Sequence, residues 1–128
     1  MSETNWTGFL LDPHELSISP VSLPATWKSI APAIDADLFD VVRVDASHVL
    51  YVDDEGLFKA DRAYTVWHGY PNVLAGKLLL LGTTQDGETI SATWTLEQVR
   101  AAVGFITAII RTPTRYIATT DDGKVVQL

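Results

Sequence analysis

Short apolar runs and alternating segments make up most of this chain, and one stretch near its C-terminal end stands apart by a helical period. Gly8-Phe9-Leu10-Leu11 is an apolar run closed by Asp12-Pro13, and Leu16, Ile18 and Val21 alternate with Ser17 and Ser19, so an opening pair of strands is expected. Pro24 suits the first turn of a helix, and Trp27, Ile30 and Ile34 follow at helical spacing, with Pro32 keeping that helix short or broken. The β-branched segment from Leu38 to Val44 and the run from His48 to Val52 read as strands before the turn Asp53-Asp54-Glu55-Gly56, after which Leu57-Phe58-Lys59 reads as a short return strand. Leu78 to Leu81 reads as a buried strand, and Asp86-Gly87 turns the chain into Thr89 to Ala92 as a hairpin. Between them, Ala60 to Lys77 has no clean period.

The clearest local signal follows. Thr95 and Gln98 form a capping-box pattern, in which hydroxyl and amide satisfy orphan N–H groups at a helix start. Leu96, Val99, Val103, Ile106 and Ile110 then recur at alternating spacings of three and four, with Ala102, Phe105 and Ile109 as a flanking stripe. This spacing predicts a buried helix from Leu96 to about Ile110, with Glu97 and Arg100 on its wet side and Thr112-Pro113 ending it. Arg115 to Thr120 and Lys124 to Leu128 make a last hairpin around Asp121-Asp122-Gly123. The expected fold is α+β: a single small domain over 1–128, with an antiparallel or mixed sheet packed against one long buried helix and one short helix around Trp27.

At 128 residues the chain can bury roughly two-thirds of its unfolded surface, enough for a core without disulfides or metal. The absence of cysteine excludes thiol nucleophiles, iron–sulfur clusters and thiolate zinc sites. The apolar runs fall far short of the ~20 residues of a membrane span. The first residues lack a basic patch followed by an apolar stretch, so no secretory signal and no membrane association are expected, and the expected compartment is the cytoplasm.

Charge narrows the partner class. The net charge is −7, and most of it lies in 35–61, where Asp35, Asp37, Asp40, Asp45, Asp53, Asp54, Glu55 and Asp61 face only Arg43 and Lys59. Such a surface repels phosphates, so direct nucleic-acid binding is disfavoured. It would attract a basic protein or mimic nucleic acid towards one, although an acidic surface also serves plain solubility.

Few motifs carry chemistry. The turns Asp54-Glu55-Gly56, Asp86-Gly87 and Asp122-Gly123 have the residue types hairpins need, and none fits a calcium loop. His14, His48 and His68 lack metal-motif spacing, so neither metal nor cofactor is expected. No nucleophile elbow lifts a serine beside His48, and no phosphate-binding glycine loop is present. The least generic segment is 64–77, where Tyr64, Trp67, His68, Tyr70 and Asn72 lie together. Read structurally, its rings close the core; read functionally, they are ligand-binding residues of a pocket.

The succession Leu50-Tyr51-Val52-Asp53-Asp54-Glu55-Gly56-Leu57 and then Tyr70-Pro71-Asn72-Val73-Leu74-Ala75-Gly76-Lys77-Leu78-Leu79-Leu80-Leu81-Gly82 resembles a family of small domains of unknown function. That family belongs to actinobacteria and other bacteria, their phages and plasmids. In it an acidic VDEEG turn precedes an asparagine loop and a GxxLLLG strand. The likeness covers residues 35–92 and departs where Tyr70-Pro71 replaces a neutral polar residue before the asparagine. It implies an accessory protein of mobile elements, some of which act on host machinery or defence, and carries over no catalytic residue.

The expected function is therefore a small acidic, non-enzymatic accessory protein. It would bind a host protein with a basic surface through Asp37, Asp40, Asp45, Asp53, Asp54 and Glu55, nucleic-acid mimicry and an anti-defence role being forms of that activity. The alternative is a small-ligand or nucleotide-related binding protein using loop 64–77. A hydrolase or transferase with His48 or His68 and an Asp partner ranks third, for want of a nucleophile motif.

Overall fold

In the computed structural model, residues 4–55 and 63–128 are described. Among them 49% lie in strands and 12% in helices, arranged as two antiparallel sheets. The first sheet holds β1 (Asn5–Asp12), β2 (Ser17–Pro24), β3 (Phe39–Arg43), β4 (His48–Asp53), β7 (Leu78–Thr83) and β8 (Thr89–Ile90), in the order β2-β1-β7-β4-β3 with β8 paired to β7. The second holds β5 (Tyr64–Trp67), β6 (Leu74–Ala75), β9 (Val103–Arg111), β10 (Tyr116–Thr120) and β11 (Val125–Gln127), in the order β11-β10-β9-β5-β6.

The unbroken leucine run has its reason in β7, which lies between β1 and β4 and is buried on both faces. Leu78 and Leu80 pack with Phe9, Leu11, Leu50, Trp67, Val99 and Phe105, while Leu79 and Leu81 pack with Trp6, Leu23, Ile30, Ile34, Val49 and Tyr51. The second sheet and helix α2 (Leu96–Ala102) thus cover one face of the first sheet. The other is covered by the single-turn helix α1 (Ile30–Ala33), which follows a 3-10 turn, Trp27–Ser29, and packs there through Ile30 with Ile34 beyond it. Gly8 is obligatory in β1, since a methyl group there would come within 2.2 Å of the Leu80 carbonyl oxygen.

The α+β expectation with its long buried helix is overturned. The capping box forms as read, with Gln98 N–H on Thr95 Oγ1 at 3.2 Å and Thr95 N–H on Gln98 Oε1 at 2.8 Å, but the helix it starts ends at Ala102. From Val103 the chain becomes β9, pairing with β5 through Trp67↔Val103 and Thr65↔Phe105 and with β10 beyond. Gly104 is a poor helix former, and Val103, Ile106, Thr107, Ile109 and Ile110 are β-branched, so local preference favours the extended form. The stripe is not buried throughout either: Ile109 and Ile110 are 51% and 49% exposed. The short helix survives only as the 3-10 turn and α1, with Trp27 exposed. The return strand expected at 57–59 lies outside the described residues. No helix among the described residues is long and apolar enough to cross a membrane.

Candidate functional site

From residue 63 onwards the segment without a clean period holds β5, a turn and β6, with Gly69 in the left-handed region at φ +97° between the two strands. The His68 N–H bonds the Ala102 carbonyl at 2.8 Å, tying the turn to the end of α2. Trp67 is only 4% exposed, its ring stacked on Trp94 at 5.6 Å, so it is chiefly a core residue with one edge at the surface. That edge joins His68, Tyr70 and Asn72 around a cleft of about 700 Å³, with Asp40, Val42 and Val52 from the first sheet and Val126 to Leu128 from the end of the chain. Tyr64 lies half-buried in β5, opposite Ala75, away from this cleft.

His68 has found an acid. Its Nε2 lies 2.8 Å from Asp122 Oδ2, and Asp122 Oδ1 accepts the Thr120 hydroxyl. The approach requires Gly104, where a methyl group would stand 2.8 Å from both Asp122 Oδ1 and Thr120 Cβ. Burial alone would raise the Asp122 carboxyl, but the Thr120 hydroxyl and His68 outweigh it and hold it below the usual aspartate value of 3.8. The hydroxyl points at the carboxylate, not at the imidazole, so Thr120 is not held as a nucleophile beside a base. In the sequence Asp122 has only the place of a turn residue before Gly123. An acid doublet after threonine, where a hairpin turn needs one Asp, was the available signal.

His48 is fully buried. Its Nε2 accepts the Thr93 N–H at 3.1 Å, and its Nδ1 lies 3.2 Å from Ser47 Oγ and 3.3 Å from Asp45 Oδ1. A backbone donor on Nε2 assigns the proton to Nδ1, so both nitrogens are engaged and His48 fixes the β3–β4 turn instead of offering a base. Asp45 lies below the usual aspartate value because hydrogen bonds from Ser47 and the contact with His48 outweigh its burial, which alone would raise it.

The acidic residues divide by position. Asp37, Asp40, Asp53, Asp54 and Glu55 gather at one end of the β3–β4 hairpin, where Phe39 pairs with Asp53 and the Asp54 N–H bonds the Leu38 carbonyl. Asp45 lies in the turn at the other end. Asp37, Asp40, Asp54 and Glu55 are exposed, whereas Asp45 and Asp53 are half-buried. Asp40 also lines the cleft, so the aromatic loop and the acidic hairpin, read as separate candidates, share a border. Asp35 pairs with Lys77 at 2.6 Å. No cluster of metal-ligating side chains occurs among the described residues.

A family of domains of unknown function, DUF3846, matches residues 6–104. The chain belongs to that family. The DUF3846 region contains both sheets as far as the start of β9, with the whole acidic hairpin and the aromatic loop. Asp122 and the cleft wall from Val126 to Leu128 lie beyond it. The chain is 37% identical over 76 residues to the uncharacterized protein y4iR of Sinorhizobium fredii, a stretch covering 57% of this chain and 47% of that protein. It is 43% identical over 54 residues to the protein PsiB of Rhizobium leguminosarum bv. phaseoli, covering 42% of this chain and 40% of that protein. The chain thus spans less than half the length of these relatives. No solved structure matches it.

Proposed function

We propose that this chain is a non-enzymatic binding protein that holds a basic surface of another protein against the acidic end of its β3–β4 hairpin. The observation that carries this reading is the exposure of Asp37, Asp40, Asp54 and Glu55 together on an outer hairpin beside a cleft able to take an apolar side chain. The resemblance to accessory proteins of mobile elements supplies the partner class, a host protein, with nucleic-acid mimicry as one form of the encounter. Neutralising Asp37, Asp40 and Asp54 to Asn is expected to release a basic protein captured at low salt, as is raising salt above ~0.15 M, where screening shortens to ~8 Å. Full retention by the triple variant would overturn the reading.

The cleft supports a second reading, a small-ligand site. Its volume of about 700 Å³ suits an organic ligand, and His68, Tyr70 and Asn72 offer orienting polar groups. Asp40 on the rim favours a neutral or cationic ligand over a phosphate-bearing one.

A further inference from the structure

We propose that the basic partner binds as an added strand along the open edge of β3, its cationic side chains towards Asp40 and its apolar ones towards Trp27. This rests on the acidic-surface reading above and names how such a partner is held. Among the described residues β3 is the last strand of its sheet, with β4 on one side only. The Val44 N–H bonds the His48 carbonyl and the Asp54 N–H the Leu38 carbonyl, both at 3.1 Å. In an antiparallel ladder these two bonds put the inward-facing groups at the even positions and aim the N–H and C=O of Phe39, Val41 and Arg43 outwards. Among the described residues the Val41 N–H is met by the neighbouring Asp40 Oδ1, at 2.8 Å, a local contact that an incoming carbonyl can displace.

The two faces beside this edge differ. On one, Asp40, Val42 and Val52 lead into the cleft. On the other, a depression of about 490 Å³ is lined by Trp27, Ala31, Leu38 and Phe39, with Asp37 and Lys28 at its margin. Trp27 is 67% exposed, Leu38 59% and Val41 47%, a concentration of apolar surface at and beside a strongly acidic segment. Side chains of an added strand alternate between faces, so in a segment alternating Lys or Arg with Val, Ile or Leu the cations meet Asp40 on one side and the apolar side chains meet the groove of Trp27, Leu38 and Phe39 on the other. Arg43 sets the direction of the charge, placing the partner's cations at the Asp37–Asp40 end. A second copy is the rival occupant, and the net charge of −7 on each chain opposes it.

The test titrates the protein with a synthetic peptide of about ten residues alternating Lys and Val, long enough to span the strand. Two further versions carry N-methyl groups on alternate residues, one set in each register. The unmodified peptide is expected to bind with strong salt dependence. N-methylation in the register facing β3 should weaken binding at least tenfold, and in the other register only slightly. Val41→Pro should have the same effect, because it removes an outward donor and no ladder bond; should it fail to fold, the peptide series decides alone. Equal binding of both methylated peptides, with loss on Asp37/Asp40/Asp54→Asn, would overturn strand addition and leave charge capture standing. Loss of neither with the triple variant would overturn charge capture too. No binding of the unmodified peptide, or a doubled solution mass that Val41→Pro abolishes, would overturn the proposal in favour of a self-paired or unused edge.

Discussion

Val103 and Ile110 distinguish the observed architecture from the helix that their spacing predicts. In a continuous helix both lie on one buried stripe, and aspartate at either position would be comparably destructive. In the structure Val103 is 4% exposed and packs with Trp67, Val99 and Phe105, whereas Ile110 is 49% exposed on the outer part of β9. Val103→Asp forfeits about 2 kcal/mol of apolar burial and strands a carboxylate at a further cost of about 3 kcal/mol or more. That total consumes a large share of the ~5–15 kcal/mol available to a domain. Ile110→Asp loses about 1 kcal/mol of half-buried surface and about 1 kcal/mol of strand preference. The gap of about 3 kcal/mol corresponds to roughly 10–15 °C in Tm at this chain length. Urea and thermal unfolding followed by tryptophan fluorescence would measure both variants. Equal, severe losses would refute the strand from 103 to 111 and restore the helix.

Trp67→Ala should cost ~3–5 kcal/mol, since a large ring leaves the core and its stacking on Trp94 is lost; denaturant unfolding showing under ~1 kcal/mol would instead make the ring a dispensable part of the cleft. Asp122 sits below its ordinary value of 3.8 when folded, so its contribution to stability is present above that value and disappears as pH falls through the lower folded one. Acid titration of Asp122→Asn should show a shallower loss of Tm below about pH 4 than the parent, and superimposed acid limbs would refute the assignment.

The parts of this fold visible in the sequence are those where one local signal decides the outcome. Leu78 to Leu81 needed no partner to read as a buried strand, and Thr95 with Gln98 fixed the start of α2. At Val103 the sequence carries two signals of opposite sense, a spacing of three and four against β-branching and Gly104. The spacing is an accident of a strand buried at Val103 and Phe105 and exposed beyond. Tyr64 to Trp67 hid for another reason: Thr65, Val66 and Trp67 are all buried, so no alternation marks the strand. The acidic hairpin was legible as composition, yet only the β3–β4 register separates Asp45 from the residues at the other end. His68 and Asp122, 54 positions apart, meet solely because β5 and β10 both pair with β9.

That meeting bears on which surface belongs to DUF3846 as a domain and which to this chain. The matched region ends at Gly104, just inside β9, while the strands beyond it complete the second sheet and one wall of the cleft. The Asp121 carboxylate accepts the Phe105 N–H at 2.7 Å and its own N–H bonds the Phe105 carbonyl at 2.9 Å, so the β10–β11 turn is fixed to β9 independently of His68. Asp122 is thereby presented to His68 by a turn already anchored by its neighbour. Cleft shape and the setting of His68 therefore depend on residues outside the match, whereas β3, β4 and their acidic end lie wholly within it. An activity tied to the domain itself is accordingly better sought along the β3 edge, and the cleft beside it is where chains with different C-terminal strands would differ in what they admit.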